Sequence, residues 1–358
     1  MSGARGYDVD LDAAGLPRLT ERLASRRVLV TGASGLLGAG VARALVSAGN
    51  AVTTLQRRPS GVAGAHDVEG SVTDPAAVER ALESVDTVVH VAAKVSVSGP
   101  EAEFAAVNVE GTRILLHAAR RRGVRRFVHV SSPSVAHAGA SIVGEGAGPA
   151  SPEHARGPYA RTKAAGELLA LEADRDDFRV LVLRPHLMWG PGDTQLTDRI
   201  VQRARAGRMP VLGSGAALVD TLYTANAVEA VVAAVSAVDH THGEALVVTN
   251  GEPRPVGELV RQIAVAGGAP EPSRTVSAGL ARRAGALIER AWEHNLLGVR
   301  SSGIGSDDGE PPLTAFLAEQ LSTSHWFDQR RTREVLDWAP GVSLDEGLER
   351  LAAYYRDR

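Results

Sequence analysis

Short apolar runs alternate with longer segments whose apolar residues recur at helical spacing through the first half of the chain. Val28, Leu29 and Val30 form one such run. It ends in Thr31-Gly32-Ala33-Ser34-Gly35-Leu36-Leu37-Gly38 and passes into Ala- and Leu-rich sequence that stops at Gly49-Asn50. This pattern predicts a strand, a glycine turn and a helix with a Gly-Asn stop. Ala51 to Leu55 predicts a second strand. Thr73-Asp74-Pro75 predicts a helix start, with Asp74 as N-cap and Pro75 at the first helical position. Asp86 to Ala93 then reads as a strand running out into small residues, Asn108 to near Gly123 as a helix, and Arg126 to Val130 as a strand ending in Ser131-Ser132.

Pro133 to Pro158 is rich in Gly, Ala, Ser and Pro, and loops of that length in compact domains are usually functional. It leads to Tyr159-Ala160-Arg161-Thr162-Lys163 at a helix start, followed by a strand over Arg179 to Arg184. Beyond Pro185 the alternation loosens. Helices are predicted over Asp198–Gly207, Ala225–Val238 and Pro255–Ala266, a glycine-containing strand region over Pro210–Val219, and a strand over Ala245–Thr249. Leu280 to Leu296 is amphipathic, and Gly303 to Pro312 is a polar break. The expected architecture is α/β: a Rossmann-type, doubly wound parallel sheet over 26–185 and a smaller C-terminal α/β substrate lobe over 186–358. Some segments of the lobe are expected to return to the first domain, and residues 1–25 to form an extension.

Composition narrows this picture modestly. The 358 residues are 44% hydrophobic and 23% charged, with a formal net charge of −3, so nothing global calls for nucleic acid. The basic cluster Arg120 to Arg122 with Arg125 and Arg126 is expected to be a solvated helix end. There are no cysteines, which removes disulfides and thiol chemistry. No metal site is expected. No apolar run approaches the ~20 residues of a spanning helix, and Met1 to Arg26 lacks an apolar signal core, so a cytoplasmic setting is expected.

The glycine turn carries the first chemistry. Gly32 permits a tight turn, Gly35 lets a pyrophosphate approach the backbone, and Gly38 lets the helix pack on its strand. Amides from Ser34 to Gly38, including those of Leu36 and Leu37, and the positive end of the helix dipole would face the phosphates. The chain is therefore expected to bind a dinucleotide. The second strand ends in Gln56-Arg57-Arg58, where NAD-binding folds place an acid against the ribose hydroxyls. Arginine holds a 2′-phosphate that a carboxylate would repel, so the expected cofactor is NADPH/NADP, with Arg57 and Arg58 binding it. Ala92 and Ala93 leave room for it at a strand end. His90, beside them, is expected to be a packed histidine.

Ser132, Tyr159 and Lys163 form the candidate catalytic set. Tyr159 and Lys163, four apart, share a helix face. A nearby ammonium favours the phenolate, the phenol exchanges a proton with a substrate oxygen, and Ser132 hydrogen-bonds the same oxygen.

These residues resemble the extended short-chain dehydrogenase/reductase superfamily, and the likeness runs from about Arg27 to Tyr355. The TGxxGxxG turn, Asn108-Val109-x-Gly111-Thr112, the strand-end serines, YxxxK and Arg184-Pro185 occur in family order. The resemblance implies that Ser132, Tyr159 and Lys163 are the catalytic triad, that Tyr159 and Lys163 also contact the cofactor, and that the backbone after Pro185 holds the nicotinamide carboxamide. Gln56 departs from the family's common acid, and Ser71 stands where many members place an Asp against the adenine. Members acting on nucleotide sugars usually carry Arg-Asp before an aromatic, whereas this chain has Val219-Asp220 before Tyr223.

The segments Arg184–Asp193, Asn250–Pro253 and Leu313–Trp326 look like the 3β-hydroxysteroid dehydrogenase family, most of all its bacterial branch, the 2-alkyl-3-oxoalkanoate reductases of long-chain olefin synthesis. The implied activity is NADPH-dependent reduction of a long-chain 2-alkyl-3-oxoalkanoic acid to the 3-hydroxy acid. A 3β-hydroxysteroid or sterol-4-carboxylate 3-dehydrogenase is the alternative. A nucleotide-sugar epimerase or dehydratase and a non-catalytic cofactor-binding protein stand behind these. The apolar positions Leu280 to Leu296, Leu313, Phe316, Leu317 and Leu321 are expected either to close the lobe's core or to line a slot for alkyl chains. The same face could rest on a membrane surface or on olefin-pathway enzymes, and a homo-oligomer is compatible with the sequence.

Overall fold

The computed structural model describes residues 23, 25–96, 99–293 and 315–358. Seven strands form its centre: β1 (Arg27–Thr31), β2 (Ala51–Gln56), β3 (His66–Glu69), β4 (Thr87–His90), β5 (Arg126–Val130), β6 (Arg179–Pro185) and β7 (Glu244–Val248). They lie in the order β3-β2-β1-β4-β5-β6-β7, every neighbour parallel. The direction of winding reverses between β1 and β4. That reversal is the switch point at which open α/β sheets bind ligands, beyond the carboxyl ends of the strands.

Helices α1 (Leu36–Ser47), α2 (Pro75–Ala81), α3 (Glu101–Ala105), α4 (Thr112–Arg121), α5 (Gly157–Glu172) and α6 (Thr224–Ala237) cover both faces. Alternation along β1 explains the layering. Val28 and Val30 join Val41, Leu45 and Val231 in one core beneath α1 and α6, whereas Leu29 joins Val78, Leu115 and Phe127 in another beneath α2 and α4. A sheet covered on both faces needs strands that are apolar throughout, and the short runs in the sequence supply them. Helix α6, rich in Ala and Val on every side, is buried along almost its whole length.

The remaining strands are short. Ile142–Glu145, Leu218–Val219, Arg254–Pro255 and His325–Phe327 form a four-stranded sheet, with Ile142–Glu145 pairing to His325–Phe327. Met188–Trp189 pairs with Leu222–Tyr223, and Val211–Leu212 with Thr275–Val276. The helices Thr197–Arg205, Val256–Ala266 and Leu344–Arg356 close around Trp189, Ile200, Ile263 and Leu351.

Several elements differ from the expectation. β3 was not predicted, because in His66-Asp67-Val68-Glu69 only Val68 is buried, as suits an edge strand. The helix expected from Asn108 begins at Glu101 and reaches α4 through a π-turn over Ala106–Gly111. The long loop after Ser132 contains the strand Ile142–Glu145, and the region Pro210–Val219 holds two strands of two residues each. The amphipathic helix spans Ala278–Glu293; residues 294–296, the break at 303–312 and nearly all of the extension over 1–25 lie outside the described residues. Among the described residues no helix is long and apolar enough to cross a membrane.

Candidate active site

The glycine turn sits at the carboxyl end of β1, on the switch point. Gly32 adopts φ +76°, and a Cβ there would lie 2.8 Å from the backbone nitrogen of Ala92. The turn therefore needs a residue that is free at positive φ and lacks a side chain. At Gly38 a Cβ would lie 2.4 Å from the Gly32 carbonyl oxygen, so α1 leaves the turn in contact with it. Gly35 is different. Its nearest neighbour would be Gly32 O at 3.4 Å, so the protein leaves the space in front of it open. Ser34 and Gly35 form the exposed tip, Leu36 is half-buried, and Leu37 and Gly38 turn inward. No side chain caps α1 and no acid occupies its first turn, which leaves its amide donors available. This cradle fits the pyrophosphate of a nicotinamide dinucleotide.

Behind the turn a chain of hydrogen bonds ties three elements together. Thr31 Oγ1 accepts from the amides of Val91 and Ala92, both at 3.1 Å, so its own proton goes to His90 Nδ1 at 2.8 Å. His90 Nε2 then donates to Thr112 Oγ1 at 3.0 Å, and Thr112 donates to the Asn108 carbonyl at 2.8 Å. Every donor in this chain has one acceptor, which makes His90 a neutral imidazole of defined tautomer. Burial, with the Lys163 charge nearby, pushes it down to about 3. Asn108 sits in the π-turn. Its amide bonds the backbone of Lys94 and the hydroxyl of Thr162, fastening the segment after Ala92 and Ala93 to α5. That packing is close, since a Cβ on Gly166 would lie 2.3 Å from Asn108 O.

Ser132 follows β5 and accepts hydrogen bonds from the Ser134 amide at 3.3 Å and the Ser134 hydroxyl at 3.0 Å. Its side chain also bonds the Tyr159 phenol. Tyr159 and Lys163 lie on α5, which starts with Pro158 in its first turn. Burial raises the phenol above its ordinary value of 10, opposed by the Ser132 hydrogen bond. The expectation of a phenol drawn down by Lys163 is thus not met: the lysine Nζ donates instead to Val130 O at 2.7 Å. Tyr159 is a protonated donor in this state. Lys163 is buried, which pushes it down to about 8 against the upward pull of Glu167.

Glu167 lies one turn further along α5 and is fully buried. Arg184, the residue before Pro185 in β6, grips it with Nε at 3.0 Å and Nη2 at 2.5 Å. The same guanidinium donates through Nη1 to the carbonyls of Gly148, at 3.1 Å, and Ala147.

At the end of β2, Gln56 is buried, and its Nε2 donates to Thr54 Oγ1 at 3.1 Å. Arg57 and Arg58 are exposed, with no hydrogen bond or ion pair among the described residues. On the neighbouring β3, Asp67 is occupied by Thr54 Oγ1 at 2.5 Å and by the Ser60 amide and hydroxyl at 2.9 and 2.6 Å, and Glu69, in register with Gln56, is exposed.

Pro185 is buried at the end of β6. Beyond it, His186 Nδ1 donates to Asp220 O at 2.7 Å, and burial pushes this histidine down to about 4. Leu187 follows at φ +37°, a strained value for a non-glycine residue. His186 also packs edge-on against His325 and Phe327, and His325 shares a 2.9 Å hydrogen bond with His137. The Asp220 carboxylate accepts from Thr249 Oγ1 at 2.7 Å and from the amides of Gly251 and Glu252 at 3.0 and 3.1 Å. It therefore shapes the Asn250-Gly251 turn.

Every residue singled out from the sequence as catalytic or cofactor-binding lies along one rim, at or just beyond the carboxyl ends of β1, β2, β4, β5 and β6, or on α1 and α5 beside them. Glu167, Arg184 as a ligand of it, and the histidines 137, 186 and 325 are site residues that the sequence pattern does not single out. Two signals were available: Glu167 stands four residues past Lys163, and Arg184 closes an otherwise apolar strand. Nothing local announced the histidines. The basic cluster near Arg120 is a solvated helix end, with Arg121 and Arg122 both paired to Glu79. Among the described residues no group of His, Asp and Glu is arranged to hold a metal ion.

The profile of the NAD dependent epimerase/dehydratase family matches residues 28–249. A 2-alkyl-3-oxoalkanoate reductase of Stenotrophomonas maltophilia is 40% identical over 336 residues, covering 91% of this chain and 98% of that protein. A 3-beta-hydroxysteroid dehydrogenase of Mycolicibacterium neoaurum is 29% identical over 92% of each chain. The crystal structure of a UDP-glucuronic acid 4-epimerase from Bacillus cereus in complex with NAD is 18% identical, covers 92% of this chain and 98% of its own, and superposes with a TM-score of 0.67, a likeness of fold.

Proposed function

The chain belongs to the NAD dependent epimerase/dehydratase family and is an NAD(P)-dependent oxidoreductase, and from that membership we propose that it reduces the 3-keto group of a long-chain 2-alkyl-3-oxoalkanoic acid with NADPH. The observation that carries the substrate is the 40% identity to a reductase of that name across nearly the full length of both proteins. The exposed, unpaired Arg57 and Arg58 beside an uncharged Gln56 support NADPH, since a 2′-phosphate would meet two cations there.

The turn from Gly32 to Gly38, Lys163 and the backbone after Pro185 would hold a nicotinamide dinucleotide, which when bound would supply the hydride for the C3 carbonyl carbon. Tyr159 gives its phenolic proton to the carbonyl oxygen, and its raised phenol suits a donor that starts protonated. Ser132 orients that oxygen through its hydroxyl. Lys163 returns the positive charge that the phenolate needs once the proton has left. The alkyl chains require an apolar slot, for which the helix Ala278–Glu293 is the candidate wall. Each buried methylene contributes about 0.8 kcal/mol, so four extra carbons strengthen binding roughly 200-fold before ordering costs.

The test is a panel of 2-alkyl-3-keto acids of increasing chain length against 3β-hydroxysterols, each with NADPH and with NADH. The proposal expects kcat/KM to rise steeply with alkyl length and NADPH to be preferred. The 29% identity to a 3-beta-hydroxysteroid dehydrogenase supports a second reading, a 3β-hydroxysteroid or sterol-4-carboxylate 3-dehydrogenase. Turnover of 3β-hydroxysterols alone, with NAD, would select it.

A further inference from the structure

The pair Glu167–Arg184 is buried to 0% and 1% exposure, and such a pair is expensive. Each ion loses several kcal/mol of hydration, and apolar side chains of similar volume are often as stable or more so. The pair therefore has no obvious value as a stability device. Its contacts give it another. Through Glu167 it grips α5, the helix of Tyr159 and Lys163, one turn beyond the lysine. Through Nη1 of Arg184 it holds the carbonyls of Ala147 and Gly148, in the loop between Ser132 and Tyr159. Through its own backbone, Arg184 precedes Pro185 at the strand end. Three segments that frame the site converge on one guanidinium, and no nitrogen of it is left buried without a partner.

We infer that Glu167 and Arg184 form a positioning pair of this site: the buried carboxylate, one helical turn past Lys163 on α5, stands as the counter-charge of that lysine, and the guanidinium fixes the 147–148 loop and the Pro185 strand end to the same helix.

The groups around Lys163 leave Glu167 as the source of the charge effect. From α5 itself come Tyr159, a protonated phenol, and Glu167. From β4 comes His90 and from β5 His129, both buried and both kept neutral by burial and by the lysine. β6 contributes Arg184, whose Nε donates to Glu167 at 3.0 Å. Without the carboxylate, burial would act on Lys163 unopposed. An uncharged lysine would then be a weaker donor to a bound cofactor and no counter-charge to the phenolate. That consequence for turnover rests on the reductase reading, but the titration of Lys163 does not.

The chain offers an unusually direct test, because it contains two lysines, Lys94 and Lys163. Protein labelled with 13C at lysine Cε gives two signals, and Lys94→Arg assigns them. Lys94, ion-paired with Glu103 at 2.7 Å away from the pair, is the internal reference. In the cofactor-free wild type Lys163 should titrate near its position of about 8. In the double variant Glu167→Gln/Arg184→Met, which removes both charges together, its midpoint should fall by about one pH unit or more, the size of a neighbouring-charge effect, with Lys94 unmoved. Glu167→Gln alone should move it the same way, which keeps the test decisive if the double variant is unstable. Glu167→Asp, which keeps the charge, should restore at least half of the shift. A folded variant lacking the carboxylate whose Lys163 midpoint stays at the wild-type value overturns the inference. So does a Glu167→Asp protein that shifts as far as the Gln variant, since packing would then be the cause. Failure of the substrate panel would leave all these readings unchanged.

Discussion

Acidification from pH 7 to pH 5 should destabilise this protein by several kcal/mol, and the size of the loss follows from its buried histidines. His90 and His325 are pushed down to about 3 and His186 to about 4, in each case chiefly by burial. In the unfolded chain each returns to about 6.5. The unfolded state therefore binds protons in this window that the folded state refuses, so stability is full above pH 6.5 and falls as the pH drops towards the folded values. At pH 5 each histidine has removed about 2 kcal/mol, and the three together about 6. At pH 5 these imidazoles are almost wholly unprotonated in the folded protein, so the loss is set by the unfolded chain.

His129, lowered by burial with neither ring nitrogen partnered among the described residues, adds in the same direction. Asp220 acts oppositely. Its carboxyl is raised to about 6 by burial, so the folded state gains a proton there first and recovers about 1 kcal/mol by pH 5. A net loss of about 5 kcal/mol is a large part of the 5–15 kcal/mol that holds an ordinary domain. Urea unfolding at pH 7, 6 and 5, followed by tryptophan fluorescence and circular dichroism, measures it. His90→Gln keeps an acceptor for Thr31 and a donor for Thr112 without a titrating group, and should remove about 2 kcal/mol of the histidine-linked loss. A midpoint that stays constant from pH 7 to 5 would refute this, because these imidazoles would then be charged or hydrated in the native protein.

Three further outcomes are expected. Tyr159→Phe should bind NADPH normally, by fluorescence titration, while kcat falls at least ~100-fold, the low end for a lost general acid; retained turnover would exclude Tyr159 as the proton donor. Arg57→Glu should erase the preference for NADPH over NADH in competition binding, and an unchanged ratio would mean that this strand end does not meet a 2′-phosphate. Gly38→Ala places a Cβ 2.4 Å from the Gly32 carbonyl, so it should cost about 1–3 kcal/mol of thermal stability and weaken cofactor affinity with it, because the turn itself must move.

What the chain announces locally and what it settles only by folding separate cleanly here. The glycine turn, the apolar strands and the four-residue step from Tyr159 to Lys163 were legible because each depends on neighbours within a few residues, where strand alternation and helix pitch convert spacing directly into geometry. The place of Ser132, Ala92 and Pro185 on one rim was legible too, since a parallel sheet puts all its strand ends on the same side. The partners of the side chains were not. Arg184 meets Glu167 across 17 positions and His325 meets His137 across 188, and those separations carry no period. The strand Ile142–Glu145 alternates half-buried and exposed residues and finds its place only because His325–Phe327 is brought beside it. The charge on Tyr159 was misjudged for the same reason. Four residues of helix put an ammonium within reach, but the depth of burial and the Val130 carbonyl that occupies Lys163 belong to the packing of α5 on β5. Spacing determines which groups can meet, whereas desolvation and competing partners, which decide what they do, exist only once distant segments have closed over them.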